Sequence, residues 1–440
     1  AQVMKTMGFK VQGSDLVNSK NVERCKRIGI KVFRTHNKKN IQDCTIVVKS
    51  SAVKDSNPEI KAAKEKKLNI LKRAEMLAHV VSLKTNIVIT GSHGKTTTTS
   101  LISKILSSAK LDPTIINGGV INSFNSNAKL GKGEWAVLEA DESDGSFLNF
   151  PVNYSVVTNI DKEHLDFYKN YKNLKDAFIR FVKKTPAIGK SIVCLDDIDL
   201  KNILKEVDKK NYLTYGFNKR SNYQIFNPKY HLTYSKFDFR IYVPGSRKTI
   251  VKNIAVNLIG KHNILNAAGA VAVCLNLGIS INVIKKALKS FSGVQRRLTK
   301  VLVKNKNEFY DDYAHHPTEI SSILEGVHKV NPNRKIISVF EPHRYSRVLS
   351  LKNEFSKCFS KSNLVIVCPL YAAGERKNEK FDLLKFSNLI AKNSNTQVII
   401  IKNEIELSKY LKKNLISDEI IIGMGAGIIS KWMAGLKYLI

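Results

Sequence analysis

A chain of 440 residues, 43% of them hydrophobic, can bury a sizeable core and is too long for one typical domain, so two or three domains are expected. Its 72 Lys and Arg against 37 Asp and Glu leave a formal net charge of +35, but the excess is mostly Lys spread along the whole chain, which argues against a nucleic-acid partner. No stretch approaches the roughly 18 uninterrupted apolar residues of a membrane helix, no secretory signal is read, and the six cysteines are scattered with no spacing that suggests a disulfide framework or a cysteine-ligated zinc site, which argues against membrane insertion and for the cytoplasm.

Residues 1–7 read as the tail of a helix stopped by Gly8, followed by a strand over 9–13 and a turn at Ser14 and Asp15. Short strands over 31–33 and 45–49 and a helix over 58–66 continue an alternation that implies a parallel sheet. A second unit opens with a strand over 86–90 and runs on through strands around 136–139, 155–158 and 191–195. Between Tyr212 and Leu258 the pattern changes to period-two alternation, with a turn at Pro244 and Gly245, and predicts an antiparallel flap. Helices are expected over 263–277 and 281–291. A third unit has strands over 335–340, 364–367, 398–401 and 419–422, closed by a glycine turn at Gly423, Gly425 and Gly427. The expected domains are 1–84, 85–297 and 298–440.

The sharpest motif is Thr90-Gly91-Ser92-His93-Gly94-Lys95-Thr96-Thr97, a strand, a glycine-rich turn and a helix start. Its spacing is G-x-x-G-K-T rather than the usual longer phosphate loop. Glycines let backbone N–H groups converge on phosphate oxygens, the helix N-terminus adds positive potential, Lys95 neutralises phosphate charge, and a Thr hydroxyl can ligate Mg²⁺. Beyond the next strand lies Glu139-Ala140-Asp141-Glu142-Ser143-Asp144, at the sheet edge where open α/β folds bind ligands. Hard carboxylates there suit Mg²⁺ bridging ATP phosphates. A corresponding strand end carries Thr158-Asn159-Ile160-Asp161-Lys162-Glu163-His164-Leu165-Asp166, in which His164 could complete a second metal position.

These motifs resemble the Mur ligase family of ATP-dependent amide-forming ligases. The likeness continues through Gly260-Lys261-His262-Asn263-Ile264-Leu265-Asn266-Ala267, the pair Arg296 and Arg297, Asp311-Asp312-Tyr313-Ala314-His315-His316-Pro317, and Glu341-Pro342-His343-Arg344-Tyr345-Ser346-Arg347. Nearer the start, Ser50-Ser51-Ala52, Asn57-Pro58-Glu59 and Arg73-Ala74-Glu75-Met76-Leu77 are similar to the family's UDP-sugar domain, so nearly the whole chain is covered.

The resemblance implies an α/β protein of three domains. The first is Rossmann-like, here without its first strand and glycine-rich turn. The central one is P-loop ATPase-like, with a parallel sheet plus a small antiparallel flap, and the last is a Rossmann-like unit that closes on it. ATP and Mg²⁺ are the implied cofactors, UDP-N-acetylmuramate and L-alanine the implied substrates, and a monomer or weak homodimer the implied state. Recycling of a tripeptide is the alternative within the family. A nucleic-acid-associated P-loop NTPase is the competing class, and it leaves the His315-His316 pair and the Arg344 and Arg347 cluster unexplained.

By the same resemblance Gly91, Ser92, His93, Gly94, Lys95, Thr96 and Thr97 would hold the ATP phosphates, with Thr96, Glu142 and His164 ligating Mg²⁺. Asn266 and Asp312 would contact the nucleotide, Asp312 at the ribose, and Arg297 would reach the phosphates across the domain junction. Lys95 would act at the reacting phosphate, while His343, Arg344 and Arg347 would orient L-alanine, since guanidinium groups grip a carboxylate in two parallel bonds.

Overall fold

Short apolar runs become strands covered on both faces, as parallel sheets require. Thr85–Thr90, Ile336–Phe340 and Ile420–Met424 are almost wholly buried. The computed structural model describes residues 1–50, 53–186 and 188–440, without the side chains of Lys20 and Asp166, so Ser51 and Ala52 of the 50–52 motif lie outside the described residues.

Among the described residues, the N-terminal unit keeps the expected alternation but not a single sheet. Gln12–Ser14 pairs in parallel with Lys31–Phe33, and Ile46–Lys49 separately with Asn69–Lys72. The strands are short and half exposed, and the local core is little more than Ile41, Ala62 and Ala63, so little apolar surface draws the two pairs together. The strand expected over 9–13 falls at Gln12–Ser14, because Phe9 is exposed and has no sheet face to join.

The central unit holds a ten-stranded mixed sheet. Thr85–Thr90 lies in its middle, between Trp135–Glu139 and Tyr154–Val157, with parallel register on both sides. The antiparallel segment is continuous with this sheet: Tyr223–Tyr230 pairs in parallel with Tyr212–Gly216 and then leads antiparallel into Ser235–Ile241 and Thr249–Val256. At the opposite edge the sequence reading missed a hairpin, Thr114–Ile121 with Ser126–Lys129, whose Gly118 and Gly119 and polar second strand hide any alternation.

The C-terminal unit is a six-stranded sheet, parallel apart from the Thr299–Lys304 and Asn307–Asp312 pair at its edge. The helix Pro317–Val330 begins where this unit meets the phosphate loop, and Thr318 Oγ1 donates to Asp161 Oδ2 at 2.7 Å across the junction.

Candidate active site

The phosphate loop leaves the central strand and enters the helix Lys95–Ser108. Gly91 and Gly94 sit at φ 130° and 84°, and a Cβ on either would collide with Thr158 Oγ1 or Asn266 Oδ1, so only glycine fits. The loop is strapped to the neighbouring strand end: His93 N–H donates to Asn159 Oδ1 at 2.8 Å, Thr158 Oγ1 to the His93 carbonyl at 2.6 Å, and Asp161 N–H to Ser92 Oγ at 2.8 Å. Thr96 and Thr97 are buried in the first helical turn, the Thr96 hydroxyl donating to Glu139 Oε1 at 2.9 Å.

Lys95 folds back over its own loop. Its Nζ donates to the carbonyls of Gly91 at 2.7 Å and Ser92 at 3.2 Å, and to Glu142 Oε2 at 2.8 Å. Burial opposes the ammonium, but Glu142 and Asp141 beside it outweigh that and hold it charged, above the usual lysine range.

Asp141, Glu142 and His164 present ligand atoms within 4.8 Å of one another. Glu142 Oε1 is buried with no hydrogen-bond partner and lies 3.7 Å from His164 Nε2. An orphaned carboxylate oxygen facing an imidazole fits a bound cation. His164 itself adopts φ 57°, a left-handed conformation uncommon for residues other than glycine. Of the three residues expected at the metal, Glu142 and His164 come together here, whereas the Thr96 hydroxyl faces Glu139.

Asn266, on the helix Lys261–Asn276, meets the loop at Gly94 and accepts from Thr98 Oγ1 at 3.4 Å. Arg297 spans towards the C-terminal unit, 3.6 Å from Glu319 Oε1 and over the Tyr313 ring. Asp312 is buried and accepts backbone N–H groups from Leu298 at 2.6 Å and Ala314 at 2.7 Å, and burial pushes its carboxyl up to about 6.

His343, Arg344 and Arg347 follow the strand Ile336–Phe340. Arg347 Nη1 donates to His343 Nδ1 at 3.0 Å, and the His343 ring stacks on Tyr371. Burial, His315 and Arg347 push His343 down to about 3, so its neutral ring can accept that bond. Arg344 stands at φ 66° with its Nε buried and unpartnered, and Arg347 Nη2 reaches 3.7 Å from Glu163 Oε1 in the central unit.

Glu319 escapes the sequence reading. It faces His93, His315 and Arg297 at 3.5, 3.4 and 3.6 Å, and those charges outweigh burial to hold its carboxylate ionised. Its sequence signal is an acid in the first helical turn after Pro317, which ordinarily means no more than a favourable helix dipole.

The glycine loop on a central parallel strand, with an arginine and histidine cluster on a facing α/β unit, defines a multidomain enzyme of the P-loop class whose site is assembled between domains. Three family models cover the chain: "Mur ligase family, catalytic domain" matches residues 1–85, "Mur ligase middle domain" 89–274 and "Mur ligase, glutamate ligase domain" 296–427. The chain belongs to the Mur ligase family. It is 51% identical to the UDP-N-acetylmuramate–L-alanine ligase of Pelagibacter ubique, covering 100% of this chain and 95% of the relative. It is 40% identical to the ligase of that name from Rhizobium etli, covering 99% and 93%. The crystal structure of a UDP-N-acetylmuramate-alanine ligase from Thermotoga maritima superposes with a TM-score of 0.84 at 26% identity, covering 100% of this chain and 95% of that one.

Proposed function

We propose that this chain joins L-alanine to the lactyl carboxylate of UDP-N-acetylmuramate, using ATP and releasing ADP and phosphate, in the synthesis of peptidoglycan precursors. The full-length likeness to ligases of that name supports the substrates. The observation that carries the chemistry is the contact of Arg347 with Glu163 across the domain junction, which brings the arginine and histidine cluster to the residue beside His164.

A carboxylate is a poor acyl donor. Its oxygen attacks the ATP γ-phosphorus, the bond to ADP breaks, and an acyl phosphate results. The amine of L-alanine then attacks the activated carbonyl, the amide bond forms, and phosphate leaves. Lys95 and the loop N–H groups from Gly91 to Thr97 offset the charge that gathers on the phosphoryl oxygens. Thr96, Glu142 and His164 would hold Mg²⁺, which supplies further neutralisation there when bound. Asn266 and Asp312 meet the nucleotide, Asp312 at the ribose, and Arg297 reaches its phosphates. Arg344 and Arg347, with His343, hold the alanine carboxylate, so the chemistry proceeds only with the C-terminal unit closed.

We place the division of labour at 1–84 for the UDP-sugar, 85–297 for ATP and 298–440 for the amino acid, in a cytoplasmic monomer or weak homodimer. No helix among the described residues is long and apolar enough to cross a membrane. Phosphate release with UDP-N-acetylmuramate against a panel of amino acids and the tripeptide tests the reading: L-alanine alone should give rapid release, and preference for the tripeptide would transfer the chain to the recycling reaction.

A further inference from the structure

Three side chains apart from the cluster beside Lys95 meet where the phosphate loop touches the helix Pro317–Val330. His93, Asp161 and His316 present ligand atoms that all lie within 4.8 Å of one another. His93 Nε2 is 3.0 Å from Asp161 Oδ2, and His316 Nδ1 is 3.5 Å from the same oxygen. A tetrahedral ion with bonds of about 2.0–2.1 Å spaces neighbouring ligand atoms by about 3.3 Å, which the two separations bracket.

Two further features fit a metal rather than an ordinary ion pair. The other nitrogen of His93, Nδ1, faces Glu319 Oε1 at 3.5 Å, the carboxylate-behind-imidazole arrangement that orients metal-bound histidines. His316 is 2% exposed, and the Nδ1 that faces Asp161 takes only a long 3.4 Å contact from the Thr318 N–H, so that nitrogen is open to an ion. In the metal-free protein the hydrogen bond between His93 Nε2 and Asp161 Oδ2 holds the two together.

We propose that His93, Asp161 and His316 form a second divalent-metal site, for a borderline ion of the Zn²⁺ class, which ties the phosphate loop to the C-terminal unit. Two imidazoles and one carboxylate suit such an ion better than Mg²⁺, which prefers oxygen ligands. The ion replaces the His93 proton and the Thr318 N–H contact, and water completes its shell. The inference is independent of the substrate reading, because it is measured on the protein alone.

The test is a Zn²⁺ titration of the chelator-stripped full chain against a chromophoric chelator. Wild type should bind an ion that His316→Gln and Asp161→Asn hold about tenfold or more weakly, while His164→Gln keeps it. Co²⁺ at the same site should give a visible ligand-field spectrum that His316→Gln loses. Circular dichroism establishes that each variant is folded, and should His316→Gln fail to fold, His93→Gln serves for the same comparison. Zn²⁺ binding unchanged in the folded variant, or abolished entirely by His164→Gln, would overturn the proposal.

Discussion

Lys95 Nζ lies 2.8 Å from Glu142 Oε2, and the same ammonium also donates to the carbonyls of Gly91 and Ser92. The cation of the phosphate loop is therefore held in place by three acceptors, one of them a carboxylate that is 1% exposed.

Replacing Lys95 by Ala should reduce ligation by roughly 10³-fold or more, the scale at which phosphoryl-transfer cations act. It should also lower the melting temperature, because a buried carboxylate left without its partner costs about 3–5 kcal/mol. Adding Glu142→Gln to the variant should restore much of the stability and none of the activity. Calorimetry and a phosphate-release assay read the two effects separately, and near-normal ligation by Lys95→Ala would remove the loop from the chemistry.

Glu142→Ala and His164→Ala should each raise the Mg²⁺ concentration needed for half-maximal rate, since a site that loses one ligand binds its ion more weakly. The reading is a metal titration at saturating substrates. Superimposable curves for both variants and wild type would place the metal elsewhere.

Much of this arrangement is legible in the sequence because its signals are local. Glycines at 91 and 94 followed by a lysine, with apolar residues before and helix formers after, specify a loop whose shape depends on few distant contacts. The strand ends bearing Glu142 and His164 are legible for the same reason. Relationships between units are not: nothing near Glu319 in the chain indicates that it faces His93, and that Arg347 meets Glu163 depends on how two sheets dock. Gln12–Ser14 carries no apolar alternation, so the sequence points to a strand that starts at Phe9. The Thr114–Ile121 hairpin was hidden by glycines in place of alternating side chains.

Arg347→Lys should raise the KM for L-alanine while leaving that for ATP nearly constant. The substitution keeps the charge but loses the planar fork that donates to His343 and faces Glu163. Steady-state kinetics in both substrates decides the matter, and a defect confined to ATP would move the cluster to the nucleotide.

Burial and the nearby Arg297 push His262 down to about 4, and its Nδ1 is buried without a partner. An unfolded imidazole titrates near 6.5. Above that pH both states are neutral and the full stability is present. As the pH falls from 6.5 towards 4 the unfolded state takes up the proton first, so stability declines across that window and the contribution is gone below it. His262→Gln should flatten the fall in melting temperature between about pH 6.5 and 4. Parallel melting curves for variant and wild type would show that another group governs the acid limb.

The central claim is that this chain activates the lactyl carboxylate of UDP-N-acetylmuramate as an acyl phosphate and transfers it to L-alanine. The most direct measurement is mass spectrometry of both products after turnover of UDP-N-acetylmuramate labelled with ¹⁸O in that carboxylate, in the presence of ATP, L-alanine and the competing tripeptide. The account predicts one labelled oxygen in the released phosphate and L-alanine in the amide product. Unlabelled phosphate, or a product carrying the tripeptide instead, would contradict it.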